Sequence, residues 1–340
     1  MNTALVNLII GIVIIVAAML VFWPDRGLIN YFKKKKLDNS RILLEDSLKH
    51  IYDYENRKVD CTIDSIAGCL SIGSEVAHNI AHKLMNLGLI HPLKRSISLT
   101  ESGRSYALKI IRIHRLWEMY LADQTGVDEK EWHTQAEKIE HILSEADAEE
   151  LASRIGNPIF DPHGDPIPSS EGNILGDRGK PLTSFSEKES VKIVHIEDEP
   201  SAVYSKLVDA GLYVDQNVFI ENIANDAIEL NIGGRLKTIT LPEASKISAE
   251  ISFESQEKIT ASQSTLAEVK VGDSVIVESI SKQIRGQQRR RLMDLGIVPG
   301  TIIVPIMESV GKDPVAYNIR GALVALRKLQ SNQIFIRQDS

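Results

Sequence analysis

The sequence predicts a multidomain α+β protein: a membrane-spanning helix, a helical half, and a β-rich half that closes into two small barrels. Three observations predict it. From Ala4 to Trp23 the chain is almost wholly apolar, broken only by Asn7 and Gly11. Between residues 41 and 155, apolar side chains recur at the helical period. From about residue 186 the chain turns to short β-forming runs, and one pattern occurs twice. SKLVDAGL leading into QNVFI is echoed by RRRLMDLGI leading into PGTIIVPI, a weak internal repeat.

The first segment holds twenty residues which, at ~1.5 Å each, reach the ~30 Å of a bilayer's hydrocarbon core. No Lys or Arg precedes it, whereas Arg26 and Lys33 to Lys36 follow it. That asymmetry places the rest of the chain on the cytoplasmic side of the inner membrane, as a single-pass protein. Trp23 and Tyr31 suit the interface, and the lysine run suits anionic head groups. A cleaved signal peptide would want a basic start and a small-residue cleavage site, and neither is evident.

Composition narrows the rest. A length of 340 residues suits several domains, and a formal charge of −7 makes no general case for nucleic acid. Two cysteines, Cys61 and Cys69, exclude a disulfide scaffold and suit a reducing compartment. Eight residues apart with no second pair, they are a poor zinc signal and read as core or near-core positions.

In residues 41–105, Leu43, Leu44, Leu48, Ile51 and Tyr52 form one helical stripe. TIDSIAGCL follows, with Thr62 as N-cap, then SIGS, then EVAHNIAHKLMNLGLI. In that last helix Val76, Ile80 and Leu84 are spaced by four, and Gly88 stops it. Two short extended pieces flank Lys94-Arg95. Helix, helix, turn, helix and wing describe a winged helix-turn-helix. The expected DNA-facing residues are Ser74, His78, Asn79, His82 and Lys83, with Lys94 and Arg95 in the wing. Asn79 suits adenine and Lys83 a phosphate, but Glu75 repels phosphate and the helix has no arginine. Nine Lys/Arg against eight Asp/Glu over 41–109 leave only a weak electrostatic footprint.

Residues 106–172 carry the densest chemistry. IRIHRLWEMYL sets His114 and Glu118 at i and i+4, on one face. HTQAEKIEHILS sets His133, Glu137, Glu140 and His141 within an arc of roughly 100° if it is one helix. The same residues also read as a solvated face. With Asp46 from the first helix, the candidate ligands are Asp46, His114, Glu118, His133, Glu137, Glu140 and His141. Imidazole with carboxylate and no thiolate suits Mn²⁺ or Fe²⁺. GNPIFDPHGDPIPSSEGN is dense in Pro, Gly and Asp and reads as a loop. The β-rich units span 186–250 and 265–338, separated by a polar linker over 251–264. No phosphate-binding glycine loop, nucleophile elbow or HExxH motif supports an enzyme.

HRLWEMYL, EWHTQAEKIEHILS and GNPIFDPHGDPIP, in that order after a winged helix, resemble the diphtheria toxin repressor family, which includes the manganese transport regulators. The resemblance covers roughly residues 41–172 and implies a metal-binding and dimerisation domain over 106–172. It implies that His114, Glu137, Glu140 and His141, with Asp46, match the metal site. His114, Glu118 and His133 match positions used by the second metal site of the iron-responsive branch. Glu137 stands where that branch has cysteine, as in the manganese branch. Lys49 stands where the manganese regulators place a glutamate ligand, and its ammonium repels a second cation. RRRLMDLGIVPGTIIVPI with IRGALVALR resembles the ferrous iron transport protein A (FeoA) domain, an SH3-like barrel, and 186–250 resembles a degenerate copy. Together these imply a membrane-anchored, Mn²⁺- or Fe²⁺-dependent transcriptional regulator, homodimeric and DNA-binding. The competing expectation is an accessory subunit of a manganese or ferrous iron transporter that does not bind DNA.

Overall fold

The computed structural model describes residues 28–92, 96–261 and 263–338. The expected membrane span at 4–23 and the wing residues Lys94 and Arg95 lie outside these. Among the described residues no helix is long and apolar enough to cross a membrane. The chain forms two compact units, up to Ile111 and from Arg112 onward.

In the first unit, helix α1 (Leu28–Asn56) buries Leu48 and Ile51 completely. Its buried Glu45 is not left unpaired: Arg41 Nε donates to it at 2.7 Å and Tyr106 Oη at 2.5 Å. Helix α2 (Ile63–Cys69) starts where expected, because Thr62 and Ser65 cap each other's backbone N–H groups at 3.1 Å. Only Ile66 of this helix is buried, so Cys61 lies in the core but Cys69, one turn past Ile66 at the helix end, faces solvent. Helix α3 (Ser74–Asn86) buries Ala77, Ile80, Ala81 and Leu84. Val76, expected in the stripe, is 43% exposed. The i, i+3, i+4, i+7 set runs through Ala77, and the small alanine side chains let α3 approach its neighbours. Gly88, at φ +68°, ends the helix in the left-handed region. Strands β1 (Ile90–Pro92) and β2 (Ile97–Leu99) pair antiparallel to form the wing.

Helix α4 (Glu101–Gln124) continues into the second unit. HTQAEKIEHILS is not one helix: α5 covers only Trp132–Ile139, and α6 (Glu145–Arg154) begins after Ser144. The break has a local cause. Ser144 and Asp147 form a capping box that starts a new helix and leaves Glu140 to Leu143 as the connecting turn. Beneath α4, Ile113 and Leu116 pack with Ala148, Leu151, Ala152 and Ile167.

The β-rich half consists of two antiparallel sheets. The first contains β3 (Lys180–Pro181), β4 (Ser190–Ile196), β5 (Asn217–Ile223), β6 (Ala227–Ile232), β7 (Arg235–Thr240) and β8 (Ile247–Ile251), in the order β3-β8-β4-β5-β6-β7. Helices α7 (Ser201–Asp209) and α8 (Leu241–Ala244) accompany it, and its core includes Val191, Ile193, Leu207, Val218 and Ile220. The stretch read as a linker carries a short helix, α9 (Gln256–Thr260), which buries Ile259. The second sheet contains β9 (Val275–Ile280), β10 (Ile302–Glu308), β11 (Val315–Ile319), β12 (Ala322–Leu326) and β13 (Ile334–Gln338), in the order β12-β11-β10-β9-β13. Helices α10 (Gly286–Asp294) and α11 (Lys328–Ser331) complete it, around Val277, Ile303, Tyr317 and Ile334. The internal repeat is visible as strand, helix, glycine and strand. It runs β4-α7-Gly211-β5 with the first sheet and β9-α10-Gly296-β10 with the second, with both glycines at positive φ.

Candidate metal centre

Helix α4 presents chemistry on one side and core on another. Ile113 and Leu116 face the packed interior, while His114 and Glu118, one turn apart, face a shared polar centre. Both are buried, Glu118 to 1% exposure. His114 divides two clusters. Its Nε2 lies 3.1 Å from Glu118 Oε1, and its Nδ1 lies 2.5 Å from Glu140 Oε2. His141 Nε2 in turn lies 3.5 Å from Glu140 Oε1.

Glu118 Oε1 is the hub of the larger cluster. Besides His114 it lies 3.4 Å from His133 Nδ1 and 3.8 Å from His163 Nε2. The first β-rich domain brings two more carboxylates, from the turn directly after β4. Asp198 Oδ2 is 2.7 Å from His133 Nδ1, and Glu199 Oε1 is 3.4 Å from His133 Nε2. Glu137, one helical turn after His133, lies 3.5 Å from the same Nε2. Three overlapping groups thus hold ligand atoms within 4.8 Å of one another: His114, Glu118 and His133; Glu118, His163 and Asp198; His133, Glu137 and Glu199. His133, Glu137, His163, Asp198 and Glu199 border a cavity of about 350 Å³, lined also by Tyr204.

His163 is held there by a pinned loop. Asp161 Oδ1 accepts from the backbone N–H of His163 and of Asp165, both at 2.9 Å. Arg112 and Arg115 of α4 donate to the carbonyls of Pro168 and Pro166, each at 2.6 Å. Gly164 sits at φ +95°, where a Cβ would stand 2.1 Å from Val194 O on β4. Only glycine permits that approach.

The electrostatics match a cation site. Burial raises the Glu118 carboxyl, but the charge and hydrogen bond of His114 outweigh it and hold Glu118 well below the carboxylate range. Burial raises Asp198 in the same way, and its contact with His133 lowers it further than burial lifts it. Burial pushes His133 down, but Asp198, Glu118, Glu137 and Glu199 together leave it strongly raised. Without another cation, His133 therefore carries a proton between four carboxylates. Its ring nitrogens nonetheless lack a hydrogen-bond partner in aligned geometry, as do both ring nitrogens of buried His163. Buried donors without partners are costly. Imidazole nitrogens and carboxylate oxygens without sulfur are the donor set a Mn²⁺ or Fe²⁺ ion takes. The residues present fit such an ion.

Of the residues singled out from sequence, the structure joins His114, Glu118, His133 and Glu137 in one cluster, of which His133 and Glu137 line the cavity, and sets Glu140 and His141 on the other side of the His114 ring. Asp46 is half-buried on α1, and His50, one turn on, has its Nε2 3.1 Å from Ser65 Oγ. Sequence reading missed His163, Asp198 and Glu199. DPHGDPIP read as part of a loop, and residues 197–199 fell within the β-rich unit without being singled out. A run of carboxylates directly after a buried strand was the available signal. On α3, Ser74, His78, Asn79, His82 and Lys83 are all exposed, and Lys83 Nζ donates to Ser40 Oγ at 2.9 Å.

Comparison with known proteins adds a family context. Residues 100–169 match the model for the iron dependent repressor metal binding and dimerisation domain. Residues 180–251 and 264–338 each match the FeoA domain. The iron-dependent repressor IdeR of Mycobacterium tuberculosis is 28% identical over 214 residues, covering 57% of this chain and 90% of that protein. A solved manganese-dependent transcriptional repressor in complex with manganese superposes with a TM-score of 0.57 at 24% identity, over 62% of this chain and all of that one, a likeness of fold. A probable metal transport system membrane protein of Chlamydia trachomatis is 38% identical over 85 residues, 25% of this chain and 19% of that protein.

Proposed function

On the premise that the chain belongs to the iron-dependent repressor family and carries two FeoA domains, we propose that it is a membrane-anchored, Mn²⁺- or Fe²⁺-dependent transcriptional regulator. Its relatives in that family are repressors, not enzymes. The observation that carries the reading is the buried hub at Glu118, with three imidazoles and Asp198 around it. In this reading His114, Glu118 and His133 hold the ion, with Asp198 and His163 completing its shell and Glu137 and Glu199 at the rim. Glu140 and His141 are further candidate ligands beyond His114. The residue at 49 is lysine, which disfavours a second cation near Asp46. The absence of thiolate favours Mn²⁺ or Fe²⁺ over softer ions.

The role of the site is to select one conformation. A cluster of carboxylates without a cation repels itself, and a bound divalent ion reverses that balance. Metal thereby favours the dimer arrangement in which two copies of α3 meet successive major grooves, with Asn79 on a base edge and Lys83 on a phosphate. His78, His82 and Ser74 flank that contact, and Lys94 and Arg95 act from the wing. The apolar segment 4–23 holds this regulator at the inner membrane, with the domains in the cytoplasm.

A second reading has support of its own. The C. trachomatis relative bears the name of a probable metal transport system membrane protein, and α3 carries no arginine. In that reading the chain is an accessory subunit of a manganese or ferrous iron transporter. Pull-down of genomic DNA fragments by the full chain, with and without Mn²⁺, separates the two. DNA retained only with Mn²⁺, and lost in Glu118→Gln, supports the regulator. Retention indifferent to both metal and substitution overturns metal control. Tight Mn²⁺ binding with no DNA retained selects the accessory subunit.

A further inference from the structure

The second FeoA domain meets the metal-site domain at the C-terminal end of α4. Helix ends leave backbone groups without intrahelical partners: carbonyls at the C-terminus, N–H groups at the N-terminus. Here the two kinds of end face each other. The N–H of Gln287, at the start of α10, donates to Thr125 O at 3.2 Å, and its Nε2 donates to Gln124 O at 3.4 Å. Arg290 Nη2 donates to Asp123 O at 3.1 Å and to Gln124 Oε1 at 2.9 Å. The positive end of one helix dipole thus meets the negative end of the other.

The fit is close. A Cβ on Gly286 would stand 2.5 Å from Thr125 O and 2.6 Å from Ala122 O, and Gly286 lies at φ +54°. Charge agrees with the geometry. Residues 264–338 hold eleven Lys/Arg against six Asp/Glu, whereas residues 100–169 hold seven against fourteen, so the two domains attract.

The docked segment leads directly to the ligands. Leu121 and Ala122, in the last turn of α4, pack with Trp132, the residue before His133. Glu118 lies one turn before Ala122 on the same helix. The loop between the ligand helices is gripped a second time by the first FeoA domain. There Tyr204 Oη donates to Glu129 Oε1 at 2.8 Å and Lys130 Nζ to Asp209 Oδ1 at 2.7 Å.

We propose that Gly286, Gln287 and Arg290 are positioning residues of the metal site, through which the second FeoA domain sets the affinity of the Glu118 cluster by holding the end of α4 and, through it, Trp132 and His133. The inference rests on the reading of that cluster as a metal site. Ligands must be held to within a few tenths of an ångström for full affinity, and supporting contacts typically contribute about ten- to a hundredfold to it. Coupling is reciprocal, so metal must also tighten the contact at α10.

The test titrates the full chain with MnCl₂, reading free Mn²⁺ by electron paramagnetic resonance, and follows amide hydrogen exchange over 286–290. Arg290→Ala is expected to weaken binding by about tenfold, and Arg290→Lys to restore part of the loss. Bound Mn²⁺ is expected to slow exchange at Gln287 in the wild type but less in Arg290→Ala. Gly286→Ala should exceed Arg290→Ala in effect, and the arginine variants decide the matter if the glycine variant fails to fold. A wild type that binds Mn²⁺, with Arg290→Ala equal to it in affinity and exchange at 286–290 indifferent to metal, overturns the inference. A wild type that binds no Mn²⁺ overturns the metal-site reading itself.

Discussion

Glu118 is almost wholly buried, yet burial does not decide its charge. Burial alone makes a carboxyl neutral; His114, His133 and His163 around it make it an anion. The same carboxylates hold a proton on His133, whose pKa is raised in spite of its own burial. A proton and a divalent ion compete for that imidazole, because only the neutral ring is a ligand. Raising the pH removes the competitor, so Mn²⁺ affinity is expected to rise between pH 6 and pH 8, by up to about tenfold per unit for one displaced proton. Calorimetric titration in buffers of different ionisation enthalpy reads both the affinity and the proton released. His133→Gln should bind more weakly and with a flatter pH dependence. An affinity independent of pH in the wild type would contradict the protonated state assigned to His133.

The elements matter because each delivers one side chain to the centre by a different device. Helix periodicity delivers His114 with Glu118. The capping box at Ser144 ends the run that would otherwise carry His133 through His141 as one face, and so sends Glu140 to the far side of His114. A pinned loop delivers His163, and that loop depends on Gly164 lying against β4. Gly164→Ala would both strain a positive-φ backbone and push the loop off Val194 O. It should cost about 1–3 kcal/mol of stability and lower Mn²⁺ affinity, as read by thermal unfolding and by metal titration of the same sample. A variant with unchanged affinity would place His163 outside the ligand set.

For the whole molecule, the second unit joins the metal-site domain and both FeoA domains in one compact body. The candidate ligands come from α4, from α5, from the 156–168 loop and from the turn after β4, so an ion held by them would crosslink segments far apart in sequence. Binding only to the folded state stabilises by mass action. Mn²⁺ at a hundred times its dissociation constant should add about 2.7 kcal/mol and raise the melting temperature. Scanning calorimetry on the full chain checks this, with Glu118→Gln as the variant in which the rise should vanish. If the melting temperature of the wild type does not move with saturating Mn²⁺, the crosslinking role fails.

What the sequence by itself determined was mostly local, although the capping box at Ser144 was local too and was not read. Thr62 capping α2, Gly88 ending α3, the i and i+4 pairing of His114 with Glu118, and the repeated strand-helix-glycine-strand units all follow from interactions a few residues apart. Family likeness, carried by HRLWEMYL, EWHTQAEKIEHILS and the RRRLMDLG string, was legible for the same reason: it resides in short ordered motifs. Only the tertiary structure decided which histidines and carboxylates share an oxygen. His163 meets Glu118 across 45 positions of chain, and His133 meets Asp198 across 65. The docking of α10 on the end of α4 spans more than 160. No periodicity records such distances. Long-range approach is set by which buried surfaces fit together and which charges must be paired once water is excluded, and those are properties of the packed chain.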